Sequence, residues 1–102
     1  MIPLIEQHRQ AIVALCVKYG VKRLELFGSA ARGDDFDASK SDVDFLVDLD
    51  SSREAPGDDF FDLKDDLETM LGRKVDLVDM EATKNPWFWV VANRCRIPLH
   101  AA

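Results

Sequence analysis

The chain has 102 residues, 47% hydrophobic and 31% charged, which predicts a single compact domain over residues 1–102. It lacks both an apolar run near the roughly 20 residues of a membrane span and the pattern of a signal peptide, so we expect a cytoplasmic protein with no membrane contact. The formal charge of −6 argues against direct binding to nucleic acid, because the whole surface should repel a phosphate backbone.

Hydrophobic periodicity divides the chain into helices and strands. Apolar side chains at steps of three and four residues indicate helices, whereas alternation or a short continuous apolar run indicates strands. Gly20 and Gly72 are placed to end helices, and Asn85-Pro86 has the residue types of a helix cap and first helical residue. Polar stretches rich in turn formers over 33–41 and 51–59 are predicted to be surface connections. The expected elements in chain order are a helix over 4–19, a strand over 21–27, a short helix-compatible segment over 29–33, a central strand over 43–49, a helix over 60–71, a strand over 75–79, a helix over 86–95 and a short edge strand over 97–100.

Two aspartates stand at the entrance of the central strand. Residues two apart on a strand point to the same face, so Asp42 and Asp44 can reach the same divalent ion. A bound Mg²⁺ would relieve their repulsion and polarise a phosphate oxygen, although a solvated loop end is the ordinary setting of such a pair. Asp76, on a strand face that its neighbours suggest is covered, is a candidate third ligand that would draw a proton from an attacking hydroxyl. The alternative is an edge-strand aspartate that faces water.

Gly28-Ser29 ends one strand and opens a helix-compatible segment. At such a junction backbone N–H groups and the helix dipole can meet a phosphate, glycine permits close approach, and the serine hydroxyl adds a donor. Arg32, one helical turn beyond Ser29, has the guanidinium group to neutralise a terminal phosphate. Taken alone, Gly-Ser is an ordinary turn, and the Gly-Lys-Ser/Thr ending of a Walker A loop is absent.

The combination of these features is more specific than any one of them. The runs LFGSAARG at 26–33, SDVDFLV at 41–47 and VDLV at 75–78 closely resemble the minimal nucleotidyltransferases of the DNA polymerase beta superfamily, and the resemblance covers essentially the whole chain. It implies an α/β (α+β) fold, a small mixed β-sheet backed by helices. Twelve residues separate Ser29 from Asp42, so the loop that contains Phe36 is longer than in many small bacterial members.

The same resemblance implies site roles and substrates. Gly28 and Ser29 would hold a nucleoside triphosphate such as ATP, Asp42 and Asp44 would bind both of two Mg²⁺ ions, and Asp76 would complete the metal site. Small members are commonly paired with a HEPN-domain protein as antitoxin and toxin, and they can transfer AMP to a tyrosine near the ribonuclease site of that partner. The resemblance therefore implies Mg²⁺-dependent transfer of a nucleoside monophosphate, AMP above all, to a hydroxyl of a HEPN-type partner that supplies the acceptor.

Two other functions remain open at this stage. One is stoichiometric docking without chemistry, in which an aromatic ring of Trp87-Phe88-Trp89 is exposed as an interface anchor, although two rings in the core and one partly exposed is the plainer interpretation. The other is transfer to a small molecule, as larger relatives do.

Three further features give no site. Cys16 and Cys95 lack the spacing of a zinc site, and we expect both thiols to be buried. The acidic run over 58–68 is expected to be a solvated helix face. His8, on the apolar stripe of the first helix, is expected to play no catalytic part.

Overall fold

The structure, a computed structural model, describes residues 3–32, 42–49 and 56–101. The side chains at 29, 32 and 56–58 are not among those described, and the predicted loops at 33–41, with Phe36, and at 51–55 lie outside the described residues. The helices are α1 (Pro3–Tyr19), α2 (Ser29–Arg32), α3 (Pro56–Leu71) and α4 (Pro86–Ala92), and the strands are β1 (Val21–Phe27), β2 (Val43–Leu49), β3 (Val75–Asp79) and β4 (Arg96–Ala101).

The four strands form one mixed sheet in the order β3-β2-β1-β4. Strand β1 runs antiparallel to both β2 and β4, and β2 runs parallel to β3. The small mixed sheet and the interior position of β2 are therefore confirmed. Strand β4 is an edge strand, as predicted, and its Pro98 pairs with Glu25 next to a shift of register, where a residue without an N–H donor is tolerated.

Helices α1 and α3 pack together on one face of the sheet, which we call the first face. Fully buried side chains from both helices meet the odd-numbered residues of β2 there. The opposite, second face carries a smaller cluster built by Phe27, Leu46 and Ala92, against which α4 also packs Phe88 and Trp89. The first-face cluster includes Ile5, Ile12, Cys16, Leu24, Leu26, Val43, Phe45, Val47, Leu63 and Leu67.

Asn85 caps α4 as predicted, because its Oδ1 accepts a hydrogen bond from the Trp87 N–H at 3.0 Å. Three expectations were wrong in detail. Helix α3 begins at Pro56 rather than at residue 60, since proline is compatible with the first turn of a helix. Helix α4 ends at Ala92, and Cys95 beyond it is half-buried, whereas Cys16 is fully buried. Among the described residues, no helix has the length and apolar character needed to cross a membrane.

Candidate functional site

The candidate residues from three separate strands lie at the same end of the sheet. Gly28 follows the last residue of β1, Asp44 is the second residue of β2, and Asp76 is the second residue of β3. In the sheet register, Asp44 lies opposite Phe27 on one side and opposite Asp76 on the other. Paired residues of adjacent strands share a face, so Asp44 and Asp76 both lie on the second face. The antiparallel pairing of β1 with β2 and the parallel pairing of β2 with β3 therefore bring Gly28, Asp44 and Asp76 to the same end of the sheet.

Gly28 and Asp44 are in close contact. Gly28 has φ +72°, a left-handed conformation that side-chain-bearing residues seldom adopt, and a Cβ at this position would collide with the Asp44 Oδ2 atom. Glycine is therefore required at this position for two reasons: the backbone has a positive φ, and the Asp44 carboxylate leaves no room for a Cβ. The turn between β1 and α2 therefore packs directly against the start of β2.

The three aspartates differ in exposure. Asp44 is half-buried, whereas Asp42, which precedes β2, and Asp76 are exposed. The expectation that Asp76 lies on a covered face was wrong, because α4 packs over Phe27 and Leu46 on the second face and leaves Asp76 exposed. An exposed carboxylate beside a half-buried one can be reached by a large molecule in solution.

The predicted turn from strand to helix is present. Strand β1 ends at Phe27, Gly28 makes the turn, and α2 begins at Ser29, with the Ala31 N–H donating to the Gly28 carbonyl at 3.2 Å. Ala30 and Ala31 are buried in the first-face core, which holds this short helix against the sheet. The side chains of Ser29 and Arg32, both predicted to contact the triphosphate, lie outside the described part of the structure.

A second set of polar contacts, which the sequence did not indicate, borders the site on the β4 side. Arg96 lies opposite Phe27 and donates to both carboxylate oxygens of Glu25, at 3.1 and 2.8 Å. Its Nη1 also donates to Asn93 Oδ1 at 2.7 Å, and its guanidinium stacks over the Trp89 ring. Glu25 and Arg96 are 71 positions apart, so no local pattern pairs them.

The aromatic residues of α4 support the same end of the sheet. The ring of Phe88 packs edge-on against Phe27, with centroids 5.7 Å apart, and the Trp89 indole donates to the Thr83 carbonyl at 3.0 Å. Trp87 points outward and is 76% exposed. The expectation of two rings in the core and one partly exposed holds only in outline, because Phe88 and Trp89 are half-buried against the second-face cluster and Trp87 is mostly exposed.

The donor set is suited to Mg²⁺, a cation that prefers carboxylate oxygens. The parallel register places Asp44 and Asp76 side by side, and Asp42 lies two positions before Asp44. Within residues 3–32, 42–49 and 56–101, however, no three His, Cys, Asp or Glu side chains are grouped closely enough to hold a metal ion. Because Mg²⁺ is usually bound by one or two protein carboxylates together with substrate phosphates, the fit rests on the side-by-side positions of Asp44 and Asp76 and not on a preformed group of three ligands.

Comparison with known proteins decides the family. The family model "Polymerase beta, Nucleotidyltransferase" matches residues 10–95. The chain belongs to this nucleotidyltransferase family. Two relatives in Methanocaldococcus jannaschii, both named as protein adenylyltransferases, are 39% identical over 70 residues and 46% identical over 71 residues. Each alignment covers 69% of this chain, and they cover 68% and 67% of the relatives, respectively.

Solved structures agree with this nucleotidyltransferase assignment. A minimal nucleotidyltransferase superposes with a TM-score of 0.74 at 34% identity, covering 92% of this chain and 91% of that one. A toxin–antitoxin structure with AMP-PNP has a TM-score of 0.70 at 21% identity and covers 92% and 73% of the two chains. A complex of tri-AMPylated HEPN toxin with MNT antitoxin from Shewanella oneidensis has a TM-score of 0.67 at 18% identity and covers 95% and 72%. The last two likenesses establish the fold, which is that of polymerase beta-type nucleotidyltransferases.

Proposed function

We propose that this nucleotidyltransferase moves AMP from ATP to a hydroxyl of a protein partner, using Mg²⁺ held by Asp42, Asp44 and Asp76. The observation that carries the proposal is the position of Asp44, which lies against Gly28, just beyond β1, and beside Asp76 on β3. The turn at Gly28 and two carboxylates therefore lie at one end of the sheet, and binding of a phosphate at such a turn supports the proposal. The names of the two archaeal relatives support a protein as the acceptor.

In the proposed reaction, each site residue has a separate role. The Gly28-Ser29 turn binds the triphosphate, and Arg32 neutralises its terminal phosphate. Asp76 accepts the proton of the attacking hydroxyl, whose oxygen forms a bond to the α-phosphorus while the bond to the leaving pyrophosphate breaks. Two Mg²⁺ ions, when bound by the three aspartates, supply the positive charge that offsets the developing charge on the phosphate oxygens.

The acceptor is proposed to be a tyrosine of a HEPN-domain toxin, which would make this chain an antitoxin. The shared fold with MNT antitoxins, one of them in complex with a tri-AMPylated HEPN toxin, supports this choice. The exposure of Asp76 also supports it, because a residue on the surface of a folded protein can approach an exposed carboxylate. An exposed Asp76 is equally open to a small molecule, so the names of the two relatives are what favours a protein acceptor.

Docking without transfer is the second candidate, and one observation favours it. Helix α4 exposes three large apolar side chains, Trp87, Val90 and Val91, each more than half exposed. Exposed aromatic and aliphatic groups of this kind are common interface anchors. A partner bound on α4 would lie on the same face of the sheet as Asp44.

The deciding experiment is intact-mass analysis of a HEPN-domain protein as the candidate partner. The partner is incubated with this protein, Mg²⁺ and the four nucleoside triphosphates. A mass increase equal to one or more AMP groups is expected, and it should vanish in the double variant D42N/D44N. The matched control D62N removes an exposed carboxylate from α3 and should transfer normally. Unchanged transfer by D42N/D44N would contradict the assigned site, and a stable complex without any mass increase would favour docking.

A further inference from the structure

Glu68, in the last turn of α3, makes two hydrogen bonds that close the connection between α3 and β3. Its carboxylate Oε2 accepts from the Val75 N–H at 3.1 Å, and its backbone carbonyl accepts from the Gly72 N–H at 2.9 Å. One residue therefore holds both ends of the three-residue segment that separates the helix from the strand. The expectation that the whole acidic run of α3 is a solvated face was wrong at this position, because Glu68 is half-buried.

The bond from Val75 matters because of where β3 lies. Strand β3 lies at one edge of the described sheet, where it pairs with β2, and Val75 is its first residue. The side chain of Val75 is 0% exposed, so this end of the strand is held within the core. Without Glu68, the Val75 N–H would lose the side-chain oxygen that accepts its hydrogen bond.

The same connection is tied to the start of β2. The Lys74 carbonyl accepts from the Val43 N–H at 3.2 Å. Val43 lies between Asp42 and Asp44, and Val75 immediately precedes Asp76. The hydrogen bonds of Lys74 and Glu68 therefore act on the two backbone positions next to the aspartates of the proposed metal site.

We infer that Glu68 is a positioning residue for nucleotide-dependent metal binding. It fixes the first residue of β3 relative to β2 and thereby keeps the Asp76 carboxylate beside that of Asp44. It acts through the backbone and not by contact with metal or nucleotide. The inference rests on the proposed function, in which both aspartates bind Mg²⁺.

The test compares three variants by two measurements. E68A removes the acceptor, E68Q keeps an oxygen acceptor but removes the charge, and D65A removes an exposed carboxylate from the same helix as a matched control. The first measurement is the Kd for Mn²⁺ in the presence of AMP-PNP, taken well below the Tm of every variant. The second is the hydrogen-exchange rate of the Val75 amide, measured by NMR on the chain alone.

A specific pattern of results is expected. In E68A the Kd for Mn²⁺ should rise about tenfold, as when other outer partners of metal ligands are removed, and the Val75 amide should exchange about tenfold faster. In E68Q and D65A both quantities should stay within about twofold of those of the natural chain. A general loss of stability would speed exchange at many amides and would not single out Val75.

Several results would overturn the inference. An unchanged Kd in E68A would show that Glu68 does not position the site, and an equal loss in E68Q would show that its charge acts instead of its hydrogen bond. Should E68A fail to fold, rapid exchange of the Val75 amide in the natural chain would decide against the inference, and slow exchange retained in E68Q would support it. Absence of Mn²⁺ binding by the natural chain would contradict the proposed function itself, which separates the two failures.

Discussion

Asp44 of β2 and Asp76 of β3 occupy the same register position in two parallel, adjacent strands. Two carboxylates so placed repel each other, and a shared divalent cation removes that repulsion. The proposed roles nevertheless differ, because Asp44 is half-buried against Gly28 and Asp76 is exposed. Several measurable consequences follow from this difference and from the packing around it.

The variant D76N should lower the rate of AMP transfer by at least about 100-fold, the usual effect of losing a general base. The folded structure should persist because Asp76 is exposed on an edge strand. Single-turnover kinetics with the partner protein would measure the rate, and circular dichroism would check the fold. A rate within a few-fold of that of the natural chain would remove Asp76 from the proton-transfer role.

The variant G28A should abolish transfer, since a Cβ would displace the Asp44 carboxylate and the backbone would have to keep a positive φ. Gly72 offers a matched control, because its φ is +67° but, among the described residues other than its chain neighbours, nothing lies within 4 Å of a Cβ built there. Both variants should lose about 1 kcal/mol of unfolding free energy from backbone strain. Only G28A should lose activity, and equal activity loss in G72A would contradict the steric explanation.

Removal of the Arg96 guanidinium should destabilise the protein. R96M leaves the carboxylate of Glu25, a residue only 9% exposed, without its bidentate partner, and we expect a loss of about 2 kcal/mol in unfolding free energy. K18M, which breaks the exposed ion pair of Lys18 with Asp66 at 3.6 Å, should change stability little. Urea denaturation of the two variants would measure the difference, and similar small effects would show that the Glu25–Arg96 pair is not important for folding.

The two thiols should differ in reactivity. Burial raises the pKa of Cys16 to about 11, and Cys95 is half-buried. Iodoacetamide at pH 8 should therefore label Cys95 well before Cys16, which intact-mass analysis can follow. Since the folded pKa of Cys16 lies above the ordinary thiol value of 9.0, its contribution to stability is complete below pH 9 and is lost as the pH rises toward 11. Equal labelling of both thiols in the folded protein would contradict the burial of Cys16.

The exposed side of α4 can be tested apart from the chemistry. W87S should leave the free energy of unfolding within about 0.5 kcal/mol of its original value, as for other exposed positions. If α4 contacts the partner, W87S should weaken the complex while D42N/D44N leaves it intact. Calorimetry of each variant with the HEPN-domain protein would measure this, and unchanged affinity in W87S would exclude Trp87 as an interface anchor.

Most elements of the fold are predictable from the sequence because their hydrophobic patterns are strong. The apolar run of β2 and the helical stripe of α1 each correspond to buried side chains in the structure. The alternation in β1 predicted a strand with one covered face, whereas residues 24–27 are buried on both faces. The start of α3 was not predictable from the pattern, because Pro56-Gly57 within a polar stretch also has the composition of a loop. Proline in a first helical turn and proline in a turn look alike in a single sequence.

The candidate site was predictable as a set of residues but not as an arrangement. Asp42, Asp44, Asp76 and Gly28 stand out by residue type and place on their strands, whereas the adjacency of Asp44 and Asp76 depends on strand order. Ion pairs between residues distant in sequence could not be predicted for a related reason, because they also depend on which strands are neighbours. Asp48, near the end of β2, is only 8% exposed and pairs with Arg23 at 3.7 Å.

The exposure of Asp76 has a consequence for the proposed reaction itself. Among the residues that the structure describes, Asp76 lies exposed at an edge of the sheet and would give a reacting phosphate little shelter from water, which competes with any protein hydroxyl as a nucleophile. The proposed acceptor protein would then exclude solvent as it presents its own hydroxyl. A close fit between the two proteins would limit the hydrolysis of ATP. The nucleotide would then react only when the correct partner is bound.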